Sequence, residues 1–363
     1  MSIRSREGWR GRLLPLLLLG CFAAGTTGLK AAQFEILEPK NGSIYDDAFA
    51  TVVVKTDSSD IKEVEIESPT KRIYLFKPKS GSDFYCKTVR LGLGENRITV
   101  RVLSADGNLS QKSVDLFYRS EVHEGADEAP YSYRKVFFHN DENEKICAGC
   151  HNMKPDFEKA PKKTIKAKGA LTADVQVLEN PQDSNCYECH EPLTSRKNGH
   201  APSVNFMCTV CHTGKAAENN LLDEGKSRYL QPDPIMERCF ECHGRVEEIM
   251  RHNRSDHGPT KLGRCNKCHN PHSSPNPFFL RKPIWELCTT CHAEKASGKH
   301  VISSFVYSRN KGGHPTRGRP DPSRPGRELV CSSCHNPHGS RGPFLLRTTG
   351  STPFKVCKRC HKK

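Results

Sequence analysis

The chain has 363 residues, 18 cysteines and a formal net charge of +15. Its length predicts two or three domains, and so many cysteines exclude an ordinary cytosolic enzyme. Residues 139–363 carry 36 basic and 23 acidic side chains, an excess of +13, whereas residues 1–32 carry +4 and residues 33–138 carry −2. No aromatic-rich basic stripe accompanies this excess, so no nucleic-acid partner is expected.

Residues 1–32 are predicted to be a signal peptide. Four arginines lie within the first twelve residues, and the apolar run Leu13–Gly20 that follows is too short to span a bilayer. The letters "LLGC" resemble a bacterial lipobox, which would make Cys21 the lipidated first residue of the mature chain. The alternative is cleavage after a small residue such as Gly25 or Gly28. A lipid on Cys21 would be the one membrane attachment expected, because no later segment is apolar enough to cross a membrane.

Residues 33–119 are predicted to form an all-β domain. The runs "TVVVKT", "EVEIES", "RIYLFK", "NRITVRVLS" and "KSVDLFY" are rich in β-formers and recur about every ten residues, separated by turn signals. This rhythm favours a β-sandwich, and "LGLGENRITVRVLSADGN" (91–108) resembles the late strands of bacterial immunoglobulin-like domains. Cys86 is expected to be a small buried residue. Residues 120–138, which include His123, are interpreted as a linker.

Residues 139–363 have a different composition, with poor periodicity, frequent Pro, Gly and Asn, and few apolar residues. Such a segment cannot bury enough surface to fold by itself. It contains eight C-x-x-C-H segments. Their cysteines are Cys147 and Cys150, Cys186 and Cys189, Cys208 and Cys211, Cys239 and Cys242, Cys265 and Cys268, Cys288 and Cys291, Cys331 and Cys334, and Cys357 and Cys360.

C-x-x-C-H is typical of covalent c-type haem attachment. The two thiols bond to the two vinyl groups of one haem, and the histidine becomes the proximal ligand of its iron. The expected proximal ligands are His151, His190, His212, His243, His269, His292, His335 and His361. Structural zinc is the competing interpretation, but a histidine follows in all eight cases and an exported chain seldom carries zinc ribbons. Disulfide pairing would not require the histidine.

Eight haem c groups would supply the missing core. About 225 residues shared among eight haems leave about 28 residues each, so the haems must pack closely. Their propionates would add up to 16 negative charges, which brings the excess of +13 to about −3. The basic excess is therefore interpreted as compensation for the propionates.

Eight further histidines in this region match the haem count and are candidate distal ligands. They are His139, His200, His252, His257, His272, His300, His314 and His338. His139, His200 and His257 each lie eight residues before a first cysteine, and His314 lies 17 before one, which indicates a four-unit repeat. Methionine, the rival sixth ligand, does not recur in register. Bis-histidine ligation and low potentials are expected, with the assignment of histidines to irons left open.

The segments "CNKCHNPHSSPNPFFLRKPIWELCTTCH" and "CSSCHNPHGSRGPFLLRTTGSTPFKVCKRCH" resemble the paired (doubled) CxxCH class of bacterial multihaem c-type cytochromes. The resemblance covers about residues 139–363 and departs from the pattern at "CAGCHNMKP", where Met153 stands near the expected N-P-H. It implies short helices and irregular loops around stacked haems, in the periplasm or at the outer surface. His272 and His338, three residues after a proximal histidine, are expected to reach a neighbouring haem more readily than their own.

The expected function is electron transfer without catalysis, with redox proteins as donor and acceptor and an outer-membrane complex or self-assembly as further partners. One alternative is a multihaem reductase of a small nitrogen or sulfur oxyanion, which requires an open haem. Another is a surface-docking protein that acts through its β-domain. The sequence names neither the donor nor the acceptor.

Overall fold

The protein was analysed as a computed structural model. The structure describes residues 33–57, 60–78, 82–120, 122, 129–154, 160–168, 174–212, 214, 228–231, 234–296, 300, 314–348 and 352–361. No helix among these residues is long and apolar enough to cross a membrane.

The N-terminal part is all-β, as predicted. Its strands are β1 Phe34–Glu38, β2 Ser43–Tyr45, β3 Phe49–Thr56, β4 Ile61–Glu67, β5 Ile73–Phe76, β6 Phe84–Arg90, β7 Gly94–Ser104, β8 Leu109–Tyr118 and β9 Arg134–Lys135. They form a three-stranded sheet, β1-β3-β6, and a six-stranded sheet, β5-β4-β7-β8-β2-β9. The immunoglobulin-like assignment remains a prediction.

One hydrophobic core lies between the two sheets. β3 contributes Val52 and Val54, and the larger sheet contributes Val64, Ile98 and Val100, all with no exposed side-chain surface. In β7 these buried residues alternate with more exposed ones, as a strand with one face on a core requires. Burying each such side chain stabilises the fold by roughly 1.5–3 kcal/mol.

Two features differ from the sequence expectations. β9 lies within the predicted linker and pairs with β2 in parallel, with Ser43 opposite Arg134. Cys86 was expected to be buried, but its side chain is exposed on β6, because the neighbouring Tyr85 takes the inward position in the strand.

The C-terminal part consists of short helices, two small antiparallel pairs and loops. In chain order its elements are α1 Asp141–Cys147, β10 Lys162–Ile165, β11 Val175–Leu178, α2 Tyr187–Thr194, β12 Asn198–Gly199, α3 Ala201–Val204, α4 Met236–Phe240, α5 Gly244–Arg251, α6 Gly258–Lys261, β13 Ser273–Ser274, α7 Ile284–Cys291 and α8 Cys331–Cys334. One-turn 3-10 segments lie at Pro181–Asp183, Cys208–Val210, Cys265–Lys267, Pro277–Phe279, Ala293–Lys295 and Pro343–Leu345, with a longer one at Pro353–Arg359.

This part has little core of its own. Its described residues include seven buried hydrophobic side chains, against eighteen in the much shorter segment 33–119. Because so few apolar side chains meet, the helices remain short and a bulky apolar group is needed to hold them together.

The two parts are in direct contact. The Asn143 amide of α1 donates to the Glu38 carboxylate of β1 at 2.7 Å, and the Thr88 hydroxyl of β6 donates to the Cys189 carbonyl at 2.9 Å. Arg196 lies over the ring of Phe49. The β-domain therefore packs against the segment that carries the first two C-x-x-C-H motifs.

Candidate haem sites

The eight C-x-x-C-H segments all form the same backbone turn. In each, the histidine N–H donates to the carbonyl of the first cysteine, at 2.8–3.0 Å in all eight. The same main-chain hydrogen bond therefore fixes the turn that carries the two thiols and the imidazole of every segment. We number them sites 1 to 8 in chain order, starting at Cys147, Cys186, Cys208, Cys239, Cys265, Cys288, Cys331 and Cys357.

Sites of consecutive units meet through thiol–thiol hydrogen bonds. These bonds join site 2 to site 3, site 4 to site 5 and site 6 to site 7, and each lowers the pKa of the accepting thiol to about 7. The donor and acceptor thiols, in that order, are Cys208 and Cys186, Cys239 and Cys265, and Cys288 and Cys331. A thiol that carries haem becomes a thioether, so these hydrogen bonds would not persist in the haem-bound protein. The proximity of the two sulfurs in each pair would persist.

The two sites within each unit are also close. Burial raises the pKa of one thiol, and the charge of a thiolate in the other site raises it further. The pairs are Cys189 with Cys147, Cys211 with Cys242, Cys268 with Cys291, and Cys334 with Cys360. Together, the two kinds of contact connect all eight sites in sequence order.

The leading histidine of each unit lies opposite the second proximal histidine of the same unit. The ring centroids are 6.0–6.3 Å apart in all four cases, and the ring planes are within 30° of parallel in three of them. The pairs are His139 with His190, His200 with His243, His257 with His292, and His314 with His361.

The other pairs join different units. His272 and His338 belong to the two C-x-x-C-H-N-P-H segments, and each lies opposite the first proximal histidine of the preceding unit. The pairs are His272 with His212 at 6.2 Å, His338 with His269 at 5.9 Å, and His300 with His335 at 5.8 Å. A histidine of the N-P-H type is therefore directed away from its own motif, as the sequence suggested.

The spacing of these seven pairs fits one iron between two imidazoles. Two metal–nitrogen bonds of about 2 Å and two nitrogen-to-centroid distances of about 1.1 Å give roughly 6.2 Å. The observed separations are 5.8–6.3 Å. The paired side chains therefore fit the axial positions of haem iron.

Burial favours the neutral form of ten of these histidines. Together with the charge of neighbouring histidines, it lowers the pKa of His190 and of His338 to about 4. Burial also lowers the pKa of His139, His200, His212, His243, His257, His269, His300 and His335. The neutral imidazole is the form that ligates a metal.

Comparison with known proteins found a matching family model and a similar curated protein. Residues 257–297 and 324–363 match the family described as "Doubled CXXCH motif". The chain is also 27% identical over 177 residues to the multiheme cytochrome MtrA of Shewanella baltica (strain OS185), across 47% of this chain and 46% of that protein. It thus spans about half the length of this curated relative. These two likenesses support a multihaem c-type cytochrome that binds haem c covalently through doubled CxxCH motifs.

Solved structures align with about a quarter of the cytochrome. A fibronectin(III)-like module of Clostridium thermocellum CbhA is 18% identical and covers 24% of this chain and 98% of its own, at a TM-score of 0.20. CopC from Methylosinus trichosporium OB3b is 15% identical and covers 26% and 97%, also at 0.20. We draw nothing from likenesses at this level.

Backbone carbonyls orient several of the cytochrome's histidines. When Nδ1–H donates to a carbonyl, the Nε2 lone pair remains for iron, and the ring is fixed in direction. The Nδ1–carbonyl contacts are His212 with Tyr229 at 2.6 Å, His269 with Phe278 at 2.7 Å, His335 with Phe344 at 2.8 Å, and His200 with Pro271 and His314 with Pro315 at 2.9 Å.

The segments "PFFLR" and "PFLLR" supply two of these carbonyls through left-handed backbone. Phe278 and Phe344 have φ of 58° and 55°, which costs a non-glycine residue about 1–2 kcal/mol. Each lies nine residues after the proximal histidine it serves, a shared offset visible in the sequence. Sequence reasoning used these segments only as a family resemblance and missed their role in orienting His269 and His335.

The structure gives less information about the remaining predicted residues. Among the described residues, neither His151 nor His252 has a ring contact with another histidine; His151 Nδ1 lies 3.2 Å from a Glu188 carboxylate oxygen. His252 ends α5, where the adjacent Asn253 donates to the His338 carbonyl. The distal-ligand role of His252 therefore stays a prediction. Cys21 lies outside the described residues, as does His123.

Proposed function

We propose that this cytochrome holds eight haem c groups in a row and transfers electrons along it without catalysing a reaction. The row of eight attachment sites, connected in sequence order by neighbouring thiols, is the observation that carries the proposal. The proximal histidine of each motif would bind one iron, and the seven observed histidine pairs would bind irons on both sides.

The residues of the chain perform three tasks in this function. The cysteine pairs fix each site at a set distance from the next. The paired imidazoles leave no open iron position at sites 2 to 8. The Nδ1 contacts fix the orientation of the imidazole rings. When bound, haem c supplies a one-electron iron couple at each site. Bis-histidine ligation by neutral imidazoles keeps the potentials low compared with a methionine ligand.

We further propose that residues 33–119 are an immunoglobulin-like domain and residues 139–363 an octahaem module of four two-haem units, in an exported protein. Its place would be the periplasm, the outer membrane or the cell surface, and its partners would be redox proteins that donate and accept electrons. The likeness to a multiheme cytochrome and the motif-rich region support this assignment.

Mass spectrometry of the mature holoprotein and a pyridine haemochrome assay test the central count. We expect eight covalent haems per chain, and a redox titration that is spread over several low-potential components. Electron paramagnetic resonance of the oxidised protein should be dominated by low-spin ferric iron. A lower haem count would refute the proposal.

Site 1 favours a second candidate function, a reductase of a small oxyanion with one open haem. His151 has no paired histidine in the described part of the chain, and the Glu188 carboxylate lies beside its Nδ1. A carboxylate partner increases the basicity of a proximal histidine, which suits an iron that binds and reduces a ligand.

The resting spectrum distinguishes the two functions. One high-spin ferric haem per chain, able to bind cyanide, would favour the reductase. Eight low-spin haems would favour the electron carrier, and the variants His123→Ala and His252→Ala would then identify the second ligand of site 1. The variant that converts one haem to high spin has lost that ligand.

A further inference from the structure

Asp47 of the β-domain lies beside a histidine of the haem module. It stands between β2 and β3, and its Oδ2 is 3.6 Å from Nδ1 of His272. Its Oδ1 accepts the Ala48 N–H at 2.6 Å and lies 3.9 Å from an Arg196 guanidinium nitrogen.

A second carboxylate faces the histidine of the adjoining site. Glu144 Oε1 lies 3.3 Å from Nδ1 of His139, and both atoms are buried without a hydrogen bond of good geometry to any described residue. The other oxygen of Glu144 pairs with Arg228, whose backbone N–H donates to the His139 carbonyl at 2.8 Å. Glu144 is thus held in place by two partners from the haem module itself.

The two carboxylates serve neighbouring sites. His139 is paired with His190 of site 2, and His272 with His212 of site 3. These sites are adjacent through the sulfurs of Cys186 and Cys208. The other recorded Nδ1 partners at sites 3, 4, 5, 7 and 8 are neutral backbone carbonyls, on His212, His200, His269, His335 and His314 respectively.

A carboxylate differs from a carbonyl in its effect on the iron. A carboxylate beside the imidazole carries a full negative charge, and that charge favours Fe(III) over Fe(II). Arg196 and Arg228 partly neutralise the two carboxylates without removing their contact with the histidines.

We propose that Asp47 and Glu144 are positioning residues that make sites 2 and 3 the lowest-potential pair among sites 2 to 8. Site 1 is outside the proposal because its second ligand is not assigned. In a partly reduced molecule, each added electron converts one Fe(III) to Fe(II), and electrons would collect at sites 4 to 8 first. The β-domain then sets the potential of a haem in the other domain, through Asp47. This inference rests on the proposed function.

The test uses full-length holoprotein reduced stepwise with dithionite. Asp47→Asn should raise the lowest-potential component of the titration and shift one low-spin ferric resonance. Asp46→Asn is the matched control, because Asp46 pairs with Arg119 and Lys135 and has no ion pair with a histidine in the described part of the chain. Glu144→Gln should act likewise on a second component, with Glu142→Gln, in the same helix, as its control.

A variant that keeps the negative charge distinguishes an effect of that charge from an effect of side-chain packing. Asp47→Glu keeps the negative charge and should return the component toward its wild-type potential. The proposal is overturned if Asp47→Asn leaves the lowest component in place, or if Asp46→Asn shifts it equally. Failure of the proposed function would instead show in the wild-type protein, as fewer than eight haems.

Discussion

Asn143→Ala tests how strongly the β-domain is attached to the segment that begins the haem row. Asn143 is buried in α1, and its amide donates to the Glu38 carboxylate at 2.7 Å and to the Phe138 carbonyl at 2.9 Å. A hydrogen bond to a charged group contributes about 1.5–3 kcal/mol and a neutral one about 0.5–1.5 kcal/mol. We therefore expect the substitution to destabilise the folded protein by about 2–4 kcal/mol at neutral pH.

The assay is equilibrium urea unfolding of the holoprotein, followed by far-ultraviolet circular dichroism, with hydrogen exchange of the α1 amides as a local readout. Lys145→Ala, an exposed change in the same helix, should shift stability by less than about 0.5 kcal/mol. If Asn143→Ala were as mild as this control, the contact would not hold the two parts together, and the reasoning from its hydrogen bonds would be refuted.

Two further outcomes are expected. Burial raises the pKa of Glu38 above the ordinary carboxyl value, so folding favours its protonated form and wild-type stability falls as pH rises from the unfolded to the folded pKa. The stability of Glu38→Gln relative to wild type should therefore increase through that window, stay constant above it and change little below it, measured by urea unfolding against pH, whereas exposed Glu35→Gln should show no such trend. His338→Ala should open the iron position opposite His269 and yield one high-spin, carbon monoxide-binding haem, whereas His338→Met should stay low-spin with a higher potential; an unchanged spectrum in the alanine variant would contradict the pairing.

The central strands of the β-domain were predictable because their residues follow the patterns that identify strands. All five predicted runs are strands, since alternation of apolar and polar residues identifies a strand with one face on a core. β1 and β6 are not among those runs, and β2 and β9 could not be found this way. They have only three and two residues, and their pairing depends on a chain segment that returns to the sheet some 90 residues later.

The attachment sites were visible because C-x-x-C-H is a local pattern whose chemistry needs that spacing. The pairing of histidines was not, because it depends on how the units pack. His272 is opposite His212, 60 residues earlier, whereas the leading His257 is opposite His292 in its own unit. Asp47 was still harder to predict, since it lies in another domain and reaches His272 only after the domains meet.

The thiol contacts also determine how the molecule would respond to damage. The thiols of each interior site interact with the site before it and the site after it, as components connected in series do. Loss of the cysteine pair at site 1 or site 8 would shorten the row by one position. Loss of an interior pair, such as Cys265 and Cys268, would divide it into two isolated groups with no parallel route between them.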